Sequence, residues 1–173
     1  MSMQFKIGNK SIGDNYRTFV IAEMSANHGG NIETALEIVR AAQRAGADAI
    51  KLQTYTADTI TINSDKDDFL IPKSSPWHTY KNLWSLYNFA HTPWSWHEEI
   101  IAEAKTIGLE VFSSPFDTTA VDFLEDLNVQ AYKIASPEIT NIPLIEKVAK
   151  TGKPVILSSG LSSFSDLDLA VKT

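Results

Sequence analysis

Two lysines stand where buried β-strands are expected. Tyr132-Lys133-Ile134-Ala135-Ser136-Pro137-Glu138 carries an ammonium through an apolar run that ends in a hydroxyl and a carboxylate. Ala49-Ile50-Lys51-Leu52-Gln53 repeats the anomaly. Side chains alternate along a strand, so Lys51 and Gln53 share one face and Ile50 and Leu52 take the other. An unpaired charge is costly to desolvate unless an opposite charge waits for it. Two such lysines on two strands therefore suggest one small anion held between them. Glu23, at the end of an earlier strand, can simply pair with Lys51 or cap a helix, and that is the plainer reading. Ser114, Ser136, Ser158 and Ser159 are each ordinary strand-end turn residues. Together with the lysines they form a cradle for phosphate or carboxylate.

The histidines carry less. His28, flanked by a glycine pair in Asn27-His28-Gly29-Gly30, reads first as a residue that holds a turn by hydrogen bonds. His78, His91 and His97 lie in or beside an aromatic segment, where packing is the default. No HxH, HxxxH or paired His/carboxylate spacing marks a complete metal site.

The elements that must position these groups alternate strand and helix. Strands are expected at 19–25, 48–53, 110–114, 130–135 and 154–159, after a polar leader. Helices come after them: one capped by Asn31 and stopped by Gly46, one opening at Thr92-Pro93 and ended by Gly108, one over 117–127 capped by Asp117, one over 141–151 capped by Asn141, and one beginning after Ser163. The short links between strands and helices are those of a parallel sheet. Between Thr54 and His91 the rhythm breaks. There Ser75-Pro76 is expected to start a short helix with Trp77, Tyr80, Trp84 and Tyr87 on one face, in a lid-like insertion. Five βα units result. Polar groups at or near the C-terminal ends of five consecutive strands point to a (β/α)8 TIM barrel, not a doubly wound sheet with one glycine-rich turn. A barrel takes roughly 250 residues, so the chain reads as the N-terminal portion of a single barrel domain. In such a portion Ile21 and Phe112 are expected to face water.

The bulk composition narrows the partners. A net charge of −6 offers no field for a polyphosphate backbone, so nucleic acid is excluded as an expected partner. The chain has no cysteine, hence no disulfide framework or thiolate nucleophile, as expected of a cytoplasmic protein. Met1–Lys6 has no apolar leader and no run reaches membrane-spanning length.

Six motifs carry a resemblance. Ile21-Ala22-Glu23, Asn27-His28-Gly29-Gly30, Ala45 through Gln53, Phe112-Ser113-Ser114-Pro115-Phe116-Asp117, Tyr132 through Glu138, and Lys153 through Gly160 resemble, in order, the motifs of the sialic acid synthase family. Gln53 through Thr59 and Tyr87 through Trp94 are more similar to its pseudaminic acid branch than to its N-acetylneuraminate branch. The resemblance implies condensation of phosphoenolpyruvate with an open-chain 2,4-diacetamido-trideoxy hexose, giving a nine-carbon 2-keto acid and phosphate. It implies that Lys51, Lys133, Ser114, Ser136 and Ser158 hold phosphoenolpyruvate. Gln53 would meet the sugar, Asn27 and Tyr87 would complete the substrate-binding set, and Glu23 and Glu138 would manage protons. A divalent metal, Mn2+ or Mg2+, is implied too, its two histidine ligands lying beyond Thr173. So are a C-terminal antifreeze-like domain, whose arginine reaches the sugar of the partner subunit, and a homodimer. The rival expectations are an N-acetylneuraminate synthase and an inactive anion-binding fragment.

Overall fold

The computed structural model describes residues 4–173; the first three residues of the expected leader lie outside them. From Gln4 onward the expected leader is instead an antiparallel hairpin of β1 (Gln4–Ile7) and β2 (Lys10–Gly13). The two-residue turn Gly8-Asn9 makes it, with Gly8 at φ +56°. The Asn9 amide donates to Glu110 Oε1 at 2.9 Å, and a Cβ on Gly8 would collide with the same carboxylate. The hairpin is thus pinned beneath the sheet.

That sheet has five parallel strands: β3 (Ile21–Glu23), β4 (Ala49–Thr54), β5 (Glu110–Pro115), β6 (Tyr132–Ile134) and β7 (Val155–Leu157), side by side in chain order. Sequential order without reversal is that of a barrel wall, whereas a doubly wound sheet reverses direction at a switch point. β3, β6 and β7 are each three residues long, shorter than their sequence patterns, and β3 and β7 form the two edges of the sheet.

Pairing register fixes the two faces. Ile21 is opposite Ala49, Glu23 opposite Lys51, Lys51 opposite Phe112, and Gln53 opposite Ser114. These residues share the inner face. Ile50, Leu52, Val111, Tyr132 and Ile134 take the outer face and are buried in the main core. The first helix to cover this face is α1 (Ile32–Arg44). It starts where Asn31 accepts from the Thr34 amide at 3.1 Å, and its buried stripe is Ala35, Leu36, Val39 and Ala42. On the floor of the inner face, Ile7 of the hairpin packs with Ala49, Phe112 and Ala131, and Phe112 is 0% exposed. The expectation that Phe112 faces water is therefore wrong, because β1 covers it; Ile21, outside that plug, is 37% exposed.

The insertion is also built differently from its sequence pattern. A four-residue helix, α2 (Ala57–Ile60), comes after β4, and the longer helix is α3 (Leu83–Ala90), capped by Asn82 and not by Ser75. Buried Asn82 accepts from the Ser85 amide at 2.9 Å and turns its Nδ2 to Asn63 Oδ1, the Ser64 carbonyl and Asp65 Oδ1. Those contacts fix the start of the helix. Ser75-Pro76 makes turns instead. On α3 the Trp84 indole N–H donates to Asp58 of α2 at 2.8 Å.

α4 (His97–Thr106), α5 (Thr118–Asp126), α6 (Ile142–Ala149) and α7 (Phe164–Lys172) match the expected helices, with Asp117, Asn141 and Ser163 as caps. They bring Ile100, Leu124, Leu144 and Ala170 to the same core as the α1 stripe. Beneath α4 runs a buried polar chain. His97 Nδ1 lies 3.2 Å from the Pro93 carbonyl and so carries the proton, which leaves Nε2 to accept from Thr54 Oγ1 at 2.9 Å. Thr54 in turn accepts from Ser113 Oγ at 2.6 Å. These links tie β4 to β5 one residue out of phase with Gln53 and Ser114.

Burial lowers the His97 pKa to about 4 from an ordinary 6.5. The unfolded chain therefore takes up this proton first as pH falls. The associated stability is complete above pH 6.5 and is lost as pH falls towards 4, by about 3 kcal/mol in all. His28, also lowered by burial, acts in the same direction. The urea midpoint of the full-length protein is expected to drop steeply as pH falls from the ordinary histidine range towards the lowered His97 value, and less steeply in His97→Gln. Identical slopes in the two proteins would refute this.

Candidate functional site

At the C-terminal ends of the strands the inner face is polar, and alternation alone explains which groups meet there. β4 contributes Lys51 and Gln53, β3 contributes Glu23, β5 contributes Ser114, and β6 contributes Lys133. The Ser113–Tyr132 pair, carried one step further, sets Ser114 beside Lys133. Ser158 lies just past β7, its amide donating to the Ile134 carbonyl at 3.1 Å.

The two lysines differ in their pairing. Lys51 is ion-paired with Glu23, the pairing the plainer reading anticipated. Lys133 has no carboxylate within ion-pairing distance among the described residues. Its pKa is lowered, first by burial and then by the Lys51 ammonium, while Glu23 and Glu138 pull the other way. Beside it, the Ser114 hydroxyl is buried and has no hydrogen-bond partner. Buried polar groups are nearly always satisfied, so a bare hydroxyl next to an unpaired ammonium marks a place prepared for an acceptor-rich anion.

Glu138 sits in a 3-10 turn, Ser136–Thr140, directly after β6. Its Oε2 is also buried without a partner, and burial raises its pKa. Glu138 forms one wall of a cavity of about 410 Å3, together with Gln53, Tyr55, Tyr87 and Phe116. Tyr55 and Phe116 were not among the expected site residues. Tyr55 was within reach of the pattern, because 51, 53 and 55 continue one alternation. Its ring meets Tyr87 and Phe116 edge-on at 5.9 and 5.3 Å.

Other expected residues are engaged elsewhere. Ser136 Oγ accepts from the Leu161 amide at 2.7 Å and so holds the loop after β7. Asn27 donates through Nδ2 to the Met24 carbonyl at 2.9 Å. His28 Nδ1 accepts from the Gly30 amide at 3.1 Å, leaving Nε2–H for Thr92 Oγ1 at 3.2 Å. It holds the turn. His78 and His91 bond to the carbonyls of Ser75 and Asn88. Among the described residues no three His, Asp or Glu side chains converge to hold a metal ion. No helix among them is long and apolar enough to cross a membrane.

Comparison with known proteins identifies relatives of the chain. The profile of the NeuB family matches residues 38–173. The pseudaminic acid synthase of Campylobacter jejuni is 46% identical over 162 residues, which are 94% of this chain and 46% of that protein. The pseudaminic acid synthase of Helicobacter pylori is 45% identical over 88% of this chain and 44% of its own length. Among solved structures, the N-acetylneuraminic acid synthetase of Leptospira borgpetersenii, in complex with citrate, superposes with a TM-score of 0.84 at 31% identity, covering 99% of this chain and 55% of that one. The chain thus spans about half the length of the curated relatives it matches. Its five βα units are the first part of a TIM barrel, and the chain belongs to the NeuB family.

Proposed function

We propose that the whole protein is a pseudaminic acid synthase: it condenses phosphoenolpyruvate with an open-chain 2,4-diacetamido-trideoxy hexose and releases phosphate. The observation that carries this is half-buried Lys133, without a carboxylate partner, beside the bare Ser114 hydroxyl. A phosphoenolpyruvate molecule brings a carboxylate and a phosphate, and fixed cations and hydroxyls preorganised on a strand wall stabilise such charge without reorganising. Lys133, Lys51, Ser114 and Ser158 are the groups placed to hold it; Ser136, already bound to Leu161, supports the loop.

The enol carbon of phosphoenolpyruvate attacks the aldehyde carbon, and the aldehyde oxygen takes a proton. Glu138 is suited to give it, because burial favours its protonated form and its Oε2 has no resident partner. Water then adds at C2, and loss of phosphate leaves the 2-keto acid. Glu23, held beside Lys51 by their ion pair on the same inner face, is placed to accept the proton of that water. Gln53 and Tyr87 line the cavity on the sugar side. A divalent metal, Mn2+ or Mg2+, would polarise the aldehyde as a Lewis acid. Residues 4–173 do not offer a ligand set for it, so we assign its ligands to the remainder of the protein, and none of these steps runs through it. The antifreeze-like domain and the homodimer belong to the same proposal, as does a cytoplasmic setting, which the cysteine-free sequence favours.

Phosphate release by the full-length protein tests the reading. The diacetamido-trideoxy hexose is expected to exceed N-acetylmannosamine by roughly tenfold or more in kcat/KM, the discrimination that a few substituent contacts supply. The reverse preference would make the protein an N-acetylneuraminate synthase. Phosphoenolpyruvate binding with no turnover on either sugar would leave only an anion-binding barrel.

A further inference from the structure

A second cavity, of about 200 Å3, shares the wall formed by Gln53, Tyr55 and Tyr87 with the larger one. Its own lining is Ala26, Trp77, Leu86, Phe89 and Ala90, with Ser25. Ser25 Oγ is engaged, donating to Gln53 Oε1 at 3.2 Å, and most of the remaining wall is aliphatic carbon and aromatic ring. The hollow is mainly apolar. Trp77 and Phe89 at its rim are 56% and 52% exposed, although Phe89 leans on Tyr80 with ring centroids 5.4 Å apart. Two large aromatics left half in water around an apolar hollow are incomplete burial that a ligand group can finish. The hollow is too small for a whole sugar, because drug-sized ligands take roughly 300 Å3 or more. It suits a substituent.

We infer that this second cavity receives a methyl-terminated substituent of the amino sugar, while the sugar's polar chain lies in the larger cavity against Gln53 and Glu138. The inference rests on the synthase reading and names the part of the substrate that the insertion reads. Two substituents share the chemistry: the methyl of an N-acyl group and the methyl that ends a deoxy sugar. An apolar pocket distinguishes one methyl-sized group by about 10-fold to 200-fold, enough to separate related amino sugars.

The test uses the full-length protein, Ala90→Leu, which fills the hollow, and Leu86→Ala, which enlarges it. Saturation-transfer NMR on the diacetamido-trideoxy hexose is expected to show one methyl strongly saturated by the wild type and much less by Ala90→Leu. Whether that methyl is an acetyl or the terminal carbon identifies the substituent. In kinetics, Ala90→Leu should raise the sugar KM by about tenfold or more and move the phosphoenolpyruvate KM by less than about twofold. If the saturated methyl is an acetyl, Leu86→Ala should raise the propionyl-to-acetyl ratio of kcat/KM about tenfold; if it is the terminal carbon, the same shift should appear when that carbon is lengthened by one methylene. Should Ala90→Leu fail to fold, the Leu86→Ala ratios decide. Unchanged methyl saturation and unchanged ratios would overturn the inference and leave a hollow that only seats Trp77. Loss of methyl saturation in Ala90→Leu without phosphate release from any sugar would instead sink the synthase reading and leave the pocket standing.

Discussion

Lys133→Met in the full-length enzyme is expected to weaken phosphoenolpyruvate binding by about 2 kcal/mol or more, roughly 30-fold, as for truncation of one member of a buried charge pair. The physical reason is the asymmetry between the two lysines. Lys51 already has Glu23, so the substrate must compete with a resident carboxylate there. Lys133 is partly desolvated, is pushed further from its charged form by Lys51, and has only a substrate to answer it. Lys51→Met should accordingly cost less in phosphoenolpyruvate affinity than Lys133→Met. Glu23→Gln should not weaken binding at all, while turnover falls by roughly the 10²-fold to 10⁴-fold typical of a lost general base. Calorimetric titration with phosphoenolpyruvate, with and without Mn2+, measures the three affinities, and a phosphate assay measures the turnover. An unchanged affinity in Lys133→Met would refute the assignment of the anion site.

Residues 1–173 produced alone are expected to self-associate and to show no synthase turnover at any Mn2+ concentration. β3 and β7 each present a row of unpaired backbone groups, the signature of an adhesive sheet edge. Apolar side chains are exposed beyond the β7 edge, Phe164 at 91% and Leu161 at 78% among them. Co-expression with the remainder of a full-length protein should cover those edges and restore some phosphate release. Light scattering on a sizing column, paired with a phosphate assay, reads both parts. A monodisperse, fully active monomer of 173 residues would refute the barrel interpretation.

Much of the architecture was legible because the alternating pattern is local. Asn31, Asp117, Asn141 and Ser163 are the caps that the structure uses, each accepting from an amide in the first turn of its helix. The inner-face placement of Lys51, Gln53 and Ser114 comes from strand alternation. Asn82 was missed because Ser75-Pro76 is an equally good local start, and the deciding contacts come from Asn63, Ser64 and Asp65, far from the helix itself. The Lys51–Glu23 pair was open to the sequence, but the lack of a carboxylate partner for Lys133 was not: both lysines sit in the same apolar pattern, and cross-strand register decides which one meets a glutamate. The N-terminal hairpin was read only as a polar leader, and nothing local says that its strands tuck under the sheet.

That hairpin has a consequence for the order in which the protein comes into being. Ile7 leaves the ribosome early, yet its packing partner Ala131 emerges only after β3, β4 and β5 have been made. Bridging so long an interval is cheap in chain entropy, since closure cost grows only with the logarithm of loop length. The floor can therefore seal on a nascent chain whose wall is still open, shielding Phe112 and Ala49 from stray hydrophobic partners while later strands are awaited. Early segments of larger proteins are vulnerable in that interval. A hairpin made first thus closes on a floor whose last buried member, Ala131, is made much later.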